Sequence, residues 1–293
     1  MQIHSVFWRI ANANDNALSF VSVPGGSVAL AMPFQSKENR LNITHGTALP
    51  DHVLEATAVV AGYGGKTILR QLDLHIRPGE IYALLGANGA GKTTTLSLFL
   101  GFVTPAAGTV RVNGIDPATQ PDEARRHLAY IPENVALYEH LTARENVAYL
   151  LDLAGQRGDG AADAAIAAID NALAAAGLAA AAFDRRVSGF SKGMRQKVAI
   201  ALALARKVPA LLLDEPTSGL DPQATTEFNR LLGVLRAQGV AVLMVTHDLL
   251  SAADVADRIG FLDAGRLLEE VAATGADRFD VRSLHRRYGA LAA

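Results

Sequence analysis

A glycine-rich run in the first third of the chain has the residue types and spacing of a phosphate-binding loop. Residues 86–93 read Gly-Ala-Asn-Gly-Ala-Gly-Lys-Thr and fit the pattern G-x-x-x-x-G-K-[ST]. Glycines let backbone N–H groups converge on phosphate oxygens, and a helix starting here adds its positive end. We expect Lys92 to contact the β- and γ-phosphates of a nucleotide and Thr93 to offer its hydroxyl to Mg²⁺. The predicted binding residues are Gly86, Asn88, Gly89, Ala90, Gly91, Lys92, Thr93 and Thr94.

An acidic pair follows an apolar run later in the chain. Leu211, Leu212 and Leu213 lead directly into Asp214 and Glu215. Ligands of open α/β sheets bind at the carboxyl ends of the strands, where this pair is expected to lie. Asp214 suits a Mg²⁺ contact, normally through water, and Glu215 suits a catalytic base that polarises an attacking water. A helix-start signal explains the pair equally well on its own, but the phosphate loop upstream favours the catalytic interpretation.

The segments that must position these residues alternate between strand and helix patterns. Ile81–Leu85 is an apolar run of strand length ahead of the glycine loop, and residues 92–100 read as a helix that Gly101 ends. Apolar runs at 210–213 and 240–245 indicate two more strands, each followed by a polar or acidic residue and a helical pattern. This alternation predicts an α/β layered domain.

The composition limits the classes of function. The chain has 293 residues, 50% of them hydrophobic and 19% charged, and its formal net charge of −2 gives no electrostatic reason to expect nucleic acid. It contains no cysteine, which excludes disulfides, zinc–thiolate sites and thiol catalysis. No stretch has the roughly 20 predominantly apolar residues of a membrane span, or the features of a secretory signal. A function at a membrane would therefore need a partner that supplies the spans.

The two ends of the chain lack the pattern of its middle. Residues 1–53 are rich in Asn, Ser, Pro and Gly and are predicted to form a poorly ordered extension, with a small extra hairpin as the alternative. Residues 274–293 are predicted to form a tail. We interpret its arginines as a solvated helix face, with contact to acidic lipid head groups as the alternative; they are Arg278, Arg282, Arg286 and Arg287.

Residues from about 54 to about 270 resemble the ABC ATPase family, with the family's motifs in the family's order. Residues 214–222 read Asp-Glu-Pro-Thr-Ser-Gly-Leu-Asp-Pro, which is close to the family's Walker B and D-loop run and adds Asp221 to the nucleotide site. Residues 190–196 read Phe-Ser-Lys-Gly-Met-Arg-Gln and look like the family's signature sequence, Leu-Ser-Gly-Gly-Gln. The Ser and the second Gly are retained, whereas the first, third and fifth positions differ.

The resemblance assigns roles to five more residues. Ser191 and Gly193, at a helix start, would bind a γ-phosphate. His247 matches the switch histidine that contacts the γ-phosphate, and Tyr63 matches the aromatic residue that stacks on adenine. Glu133 stands where the family usually has Gln, in the loop that contacts both the metal and the permease. Its carboxylate can approach Mg²⁺ but adds a charge beside the triphosphate.

Taken alone, three of these residues have simpler explanations. Ser191 would be an N-cap, His247 a structural residue after a strand, and Tyr63 an ordinary tyrosine at a strand edge. The resemblance favours the functional interpretation of each.

The resemblance also implies a fold, cofactors and partners. The fold is a P-loop NTPase (RecA-like) core with an antiparallel β subdomain and a helical subdomain inserted at about 134–206, in an ATP-binding domain of residues 54–273. The cofactors are ATP and Mg²⁺. The partners are a second ATPase subunit, in a homodimer or heterodimer that holds ATP between one subunit's phosphate loop and the other's signature, and an ABC permease. The location implied is the cytoplasmic face of the cell membrane, with membrane contact through the permease and without nucleic acid.

The implied activity is ATP hydrolysis coupled to substrate movement, with export favoured by the Ser-Lys-Gly-Met signature and Glu133. Two other classes are the alternatives. A non-transport ABC protein would carry tandem ATPase domains or a long coiled coil, whereas this chain has one phosphate loop and no sustained heptads between Lys92 and Ser191. A nucleotide-gated binding module without turnover would not need the catalytic residues that are intact here, Lys92, Asp214, Glu215 and His247.

Overall fold

The computed structural model describes residues 51–155, 162–274 and 278–291. The predicted N-terminal extension lies almost entirely outside the described residues. The strands are β1 (Leu54–Tyr63), β2 (Lys66–Ile76), β3 (Ile81–Leu85), β4 (Ala107–Val112), β5 (Leu128–Ile131), β6 (Ala210–Asp214), β7 (Ala241–Thr246), β8 (Arg258–Asp263) and β9 (Arg266–Ala272). The helices are α1 (Lys92–Phe99), α2 (Pro121–Arg126), α3 (Ala143–Leu153), α4 (Ala162–Ala175), α5 (Lys192–Arg206), α6 (Pro222–Ala237), α7 (Leu249–Val255) and α8 (Val281–Leu291).

The larger sheet carries the predicted chemistry at one edge. In the described part of the chain it has six strands in the order β5-β6-β7-β3-β8-β9. The pairs β5–β6, β6–β7, β7–β3 and β3–β8 are parallel, and only β9 runs antiparallel to its neighbour. Every residue of β3 and β7 is buried, as expected of parallel strands covered on both faces. The predicted α/β layered domain is confirmed, and the carboxyl ends of β5, β6, β7 and β3 lie side by side.

A second, antiparallel sheet has the order β2-β1-β4. Strands β1 and β2 form a hairpin whose two-residue turn, Gly64-Gly65, has φ values of 56° and 79° at the two glycines. Such left-handed turns match the twist of paired strands and favour glycine at both positions. The turn places Tyr63 at the tip of the hairpin, paired with Lys66.

In its described residues, the chain between β5 and β6 contains three α-helices, α3, α4 and α5, and two short 3₁₀ turns. Helix α3 begins with a capping box in which Thr142 and Glu145 each bond the other's backbone N–H. Val147 of α3, Leu173 of α4 and Val198 of α5 are buried in one hydrophobic core. None of the helices in the described ranges is both long and apolar enough to cross a membrane.

The C-terminal segment corrects one prediction. Arg278 precedes α8 and does not belong to a solvated helix face, because its Nη2 donates to the carbonyl oxygens of Val255 and Ala256 and to Asp257. Arg282 and Arg286 do lie exposed on α8, and the side chain of Arg287 lies outside the description. Two apolar residues of this segment, Phe279 and Leu284, are buried in the hydrophobic core. Burial of these two side chains holds the segment against the rest of the described chain.

Candidate nucleotide-binding and hydrolysis site

The loop from β3 to α1 has the form of a phosphate cradle. Gly89 and Gly91 have φ values of 84° and 115°, which L side chains rarely adopt. A Cβ at Gly91 would also lie 2.7 Å from Cδ2 of Leu69, so that side chain would have to shift to admit one. Residues 87–89 are exposed and Ala90 is buried, which leaves the crest of the loop open to a ligand. An open glycine loop at a helix start fits a polyphosphate.

Three other loop-region residues differ in their surroundings. Gly86 is buried, and a Cβ there would lie 2.5 Å from the carbonyl oxygen of Leu262, so close backbone packing requires glycine. Thr93 is exposed in the first turn of α1, whereas Thr94 is buried beside it. The hydroxyl of Thr93 is thus the one of the two that solvent reaches, as a contact to a hydrated metal ion would require.

Lys92 connects the phosphate loop to the acidic pair. Its Nζ donates to the carbonyl oxygen of Gly86 at 2.6 Å and to that of Ala87 at 3.4 Å. The same Nζ lies 3.5 Å from Oε1 of Glu215. The Lys92 side chain is only 8% exposed, so its charge is little screened by water. The structure therefore brings together Lys92 and Glu215, two of the predicted site residues.

Glu215 is held by the end of the neighbouring strand β7. Its Oε2 accepts hydrogen bonds from Oγ1 of Thr246 at 3.0 Å and from the backbone N of His247 at 3.2 Å, and Nδ1 of His247 lies 2.8 Å away. Its φ of 45° is uncommon outside glycine and asparagine, as is often seen at functional sites. Burial raises the pKa of Glu215, but the hydrogen bonds from His247 and Thr246 outweigh burial, and the pKa is lowered overall. The carboxylate therefore stays ionised, which is the form a base needs.

Asp214, the last residue of β6, lies in a different environment from its neighbour. Its Oδ2 accepts a hydrogen bond from Oη of Tyr130 at 3.2 Å. Burial raises the pKa of Asp214, and the negative charges of Glu215 and Glu133 raise it further. A carboxylate destabilised in this way would be stabilised by a nearby cation. Asp214 therefore fits the metal contact predicted for it.

The oxygen donors at this edge of the sheet fit Mg²⁺ in company with a nucleotide. They are the hydroxyl of Thr93 and the carboxylates of Asp214 and Glu133. No group of three or more His, Asp or Glu side chains that could hold a metal occurs among the described residues. Mg²⁺ does not need one, because it is usually bound through one or two carboxylates, with phosphates and water completing its shell.

Glu133 follows β5 and contacts the signature region of the same chain. Its Oε1 accepts a hydrogen bond from Oγ of Ser218 at 3.0 Å and lies 3.9 Å from Nζ of Lys192. Ser218 belongs to the Walker B and D-loop run, and Lys192 stands at the third signature position. The loop after β5 is thereby connected to two motifs that are distant from it in sequence.

The signature and D-loop residues lie at helix starts. Oγ of Ser191 accepts from the backbone N of Met194 at 3.3 Å and caps α5, and Oδ1 of Asp221 accepts from the backbone N of Ala224 at 2.8 Å and caps α6. The N-cap interpretation of Ser191 is thus confirmed, and nucleotide contact by Ser191, Gly193 and Asp221 stays a prediction. Ser191 and Asp221 are both exposed, so their surfaces are open to a second molecule.

Tyr63 lies at the tip of the β1–β2 hairpin and is 53% exposed. Leu69 of the same hairpin approaches Gly91 in the phosphate loop and pairs with Ala61, two residues before Tyr63. The hairpin is therefore anchored beside the loop, and its exposed aromatic ring is free to take a base. Stacking of Tyr63 on adenine stays a prediction.

Four residues of the site were not predicted from the sequence. Tyr130 bonds Asp214, Thr246 bonds Glu215, and Ser218 bonds Glu133. Nε2 of Gln196, buried in α5, donates to the carbonyl oxygen of Pro216 beside the acidic pair. A signal existed for Thr246, since it lies between an apolar strand and His247, but the others depend on which strands and helices become neighbours.

The fold and the site together define a P-loop nucleotide-binding protein, and comparisons with known proteins give the family. The sequence profile described as ABC transporter matches residues 69–218. The Nod factor export ATP-binding protein I of Paraburkholderia xenovorans is 38% identical over 222 residues, which is 76% of this chain and 71% of that protein. The daunorubicin/doxorubicin resistance ATP-binding protein DrrA of Streptomyces peucetius is 35% identical over 75% of this chain and 66% of its own length. The chain belongs to the ABC transporter family and is an ATP-binding subunit.

Solved structures support the same assignment. An ATP-binding subunit of an ABC transporter superposes with a TM-score of 0.66 at 30% identity, over 82% of this chain and 95% of that chain. A dimeric ATP-binding cassette in a post-hydrolysis state, bound to ADP and phosphate, has a TM-score of 0.66 at 28% identity, over 76% of this chain and 99% of that chain. The predicted P-loop fold, with its antiparallel sheet and helical insertion, is confirmed.

Proposed function

We propose that this chain binds ATP with Mg²⁺ and hydrolyses it to ADP and phosphate. The observation that carries the proposal is the position of the Glu215 carboxylate, which is held by His247 and Thr246 and lies 3.5 Å from Nζ of Lys92. A base and a cation fixed beside a phosphate loop are the parts that phosphoryl transfer to water requires.

Each residue then has a distinct task. The loop glycines and Lys92 grip the phosphates, and the charge of Lys92 opposes the negative charge that develops on the transferred group. Glu215 orients the attacking water and accepts its proton while the bond from the γ-phosphorus to the ADP oxygen breaks. His247 and Thr246 hold Glu215 in place, and His247 contacts the γ-phosphate. Thr93, Asp214 and Glu133 would hold Mg²⁺, which would supply positive charge to offset that of the phosphates.

The working unit in this proposal is a dimer of ATP-binding subunits. The exposed starts of α5 and α6, with Ser191 and Asp221, supply the surface that a second subunit's nucleotide would meet. A solved relative is dimeric with ADP and phosphate bound, which supports this arrangement. ATP would favour the closed dimer because it contacts both subunits only there. Either a homodimer or a heterodimer satisfies the geometry.

The partner in the membrane would be an ABC permease, with this chain at its cytoplasmic face. Relatives named for Nod factor export and for daunorubicin/doxorubicin resistance support export as the direction. The helical segment carries three exposed apolar side chains, Tyr149 and Leu153 on α3 and Ile166 on α4. Apolar side chains exposed on one segment suit a protein contact. We assign residues 54–273 to the ATP-binding domain and 134–206 to the helical subdomain that contacts the permease.

The direct experiment is to measure phosphate release by the purified full-length chain with MgATP, beside binding of a fluorescent ATP analogue. We expect both binding and steady release. Binding without release by the chain alone and by the chain with its permease would reject hydrolysis and leave a nucleotide-gated binding module. Absence of binding would reject the whole proposal.

A further inference from the structure

Two departures from the family's usual sequence contact each other in the structure. Glu133 stands where the family usually has a neutral Gln, and Lys192 stands at a signature position that is usually Gly. Nζ of Lys192 lies 3.9 Å from Oε1 of Glu133. One substitution adds a negative charge and the other a positive charge, so the pair leaves the local net charge unchanged.

Lys192 is placed where a helix by itself would not favour it. It is the first residue of α5, directly after the N-cap Ser191. The N-terminus of a helix carries a partial positive charge and is stabilised by anions, so a lysine there is unfavourable. A residue that breaks a local rule in this way usually has a compensating partner or a function. The carboxylate of Glu133 supplies the compensating anion.

The pair also holds three segments in one place. Oε1 of Glu133 accepts a hydrogen bond from the hydroxyl of Ser218 at 3.0 Å and also forms the ion pair with Nζ of Lys192. The stem of Lys192 runs over Gly219, where a Cβ would lie 3.9 Å from its Cδ and 3.8 Å from its Nζ. The Glu133 carboxylate is thereby fixed between the start of α5 and the loop that follows the acidic pair.

The exposure of the pair argues for a role in orientation. The side chains of Lys192 and Glu133 are 27% and 44% exposed, and ion pairs this open to water stabilise a fold only slightly. The carboxyl ends of β5 and β6 nevertheless lie side by side, so Glu133 stands beside the acidic pair, where the triphosphate would bind. An uncompensated carboxylate at this point would therefore repel a triphosphate.

We propose that Lys192 is a positioning residue that acts through Glu133: it orients this carboxylate and offsets its charge, so that the loop after β5 can carry an acid beside the nucleotide without weakening triphosphate binding. This inference rests on the proposed nucleotide-binding function. It gives the signature lysine a role within its own subunit, separate from any contact with the nucleotide of a second subunit.

The test is a double-mutant cycle of Lys192→Met and Glu133→Gln, read by binding of a fluorescent ATP analogue in EDTA at low ionic strength. We expect Lys192→Met alone to weaken binding about three- to tenfold, the effect of one uncompensated charge acting on several phosphate charges through a mostly aqueous medium. With Gln at 133 the same change should alter affinity less than about twofold, and added salt should reduce the coupling.

Lys197→Met is the matched control, because Lys197 also lies on α5 and forms a 2.8 Å ion pair with Glu227, away from Glu133. Its effect should be the same with Glu or Gln at 133. Lys192→Arg keeps the positive charge and should bind the ATP analogue as tightly as the unmodified chain. Equal weakening by Lys192→Met in both backgrounds would overturn the assigned role.

A second readout keeps the inference separate from the proposed function. If the unmodified chain binds no analogue, nucleotide binding fails, but the pairing is still measured by thermal unfolding. Lys192→Met should lower the midpoint by about 1–3 °C only when Glu133 is present. If the midpoint shifts of Lys192→Met and Glu133→Gln simply add in the double variant, the pairing is rejected. Lys192→Gln replaces Lys192→Met in both measurements if the Met variant does not fold.

Discussion

Nδ1 of His247 lies 2.8 Å from Oε2 of Glu215. The two residues are distant in sequence, but each directly follows a strand, β7 or β6, and these strands are parallel neighbours in the sheet. The contact places the residue predicted to sense the γ-phosphate against the residue predicted to activate water. If His247 contacts the γ-phosphate as proposed, loss of that phosphate would change the hydrogen bond between His247 and Glu215. Hydrolysis would thereby change the position of the loop after β7.

Glu215→Gln should separate ATP binding from hydrolysis. The amide keeps the size of the side chain but cannot accept the proton of the attacking water, so phosphate release should fall by about 10²-fold or more. Binding of a fluorescent ATP analogue should remain within about threefold of the unmodified chain, because the phosphate loop is unchanged. Near-normal phosphate release by this variant would remove Glu215 from the role of base.

His247→Ala should also impair hydrolysis, through a different route. It removes one of the donors to Glu215 and the proposed γ-phosphate contact, while Thr246 and the backbone N–H at 247 still hold the carboxylate. Loss of one such donor typically slows turnover by about 10²–10³-fold. His285→Ala on α8, an exposed histidine, is the matched control and should hydrolyse ATP normally. Comparable rates for the two variants would leave His247 a structural residue.

Lys92→Ala should weaken ATP binding. The ammonium group would no longer reach the phosphates. Glu215 would also lose the cation 3.5 Å from its Oε1, so its negative charge would repel the phosphates more strongly. We expect a loss of at least about tenfold in affinity for a fluorescent ATP analogue. Lys207→Asn is the control, because Lys207 is exposed and its φ of 51° is one that asparagine tolerates. An unchanged affinity of the Lys92 variant would count against the phosphate-loop role.

Tyr82→Phe should change the alkaline limit of stability. Oη of Tyr82 donates to Oε1 of Glu270 at 2.5 Å, and burial together with the charge of Glu270 raises the pKa of this phenol well above its usual value. Because the folded-state pKa is raised, the stabilisation is fully present below the unfolded-state pKa of about 10 and is lost as the pH rises above it. The phenylalanine variant lacks this loss.

Urea unfolding at pH 8 and at several values above pH 10 measures this effect. The variant should be less stable by about 1–2 kcal/mol at pH 8, and the gap should shrink as the pH rises. Tyr63→Phe, at an exposed tyrosine, should follow the unmodified chain throughout. A gap that stays constant with pH would show that ionisation of Tyr82 does not limit stability.

Local sequence patterns were sufficient for the motif-bearing elements. The phosphate loop between β3 and α1 and the acidic pair at the end of β6 were predicted because a strand, a glycine turn and a helix start are each specified by neighbouring residues. The resemblance then supplied the inserted helices and the antiparallel sheet. Arg278 escaped this reasoning, since its bonding to carbonyl groups after α7 depends on where the C-terminal segment docks.

The sequence by itself determined which residue types stand at each strand end, and hence that nucleotide chemistry belongs there. Only the tertiary structure decided which of them touch. The parallel pairing of β5 with β6 and of β6 with β7 places Tyr130 on Asp214 and Thr246 on Glu215. Side-chain contacts across such an edge depend on strand pairing and helix packing, which no local window of sequence contains.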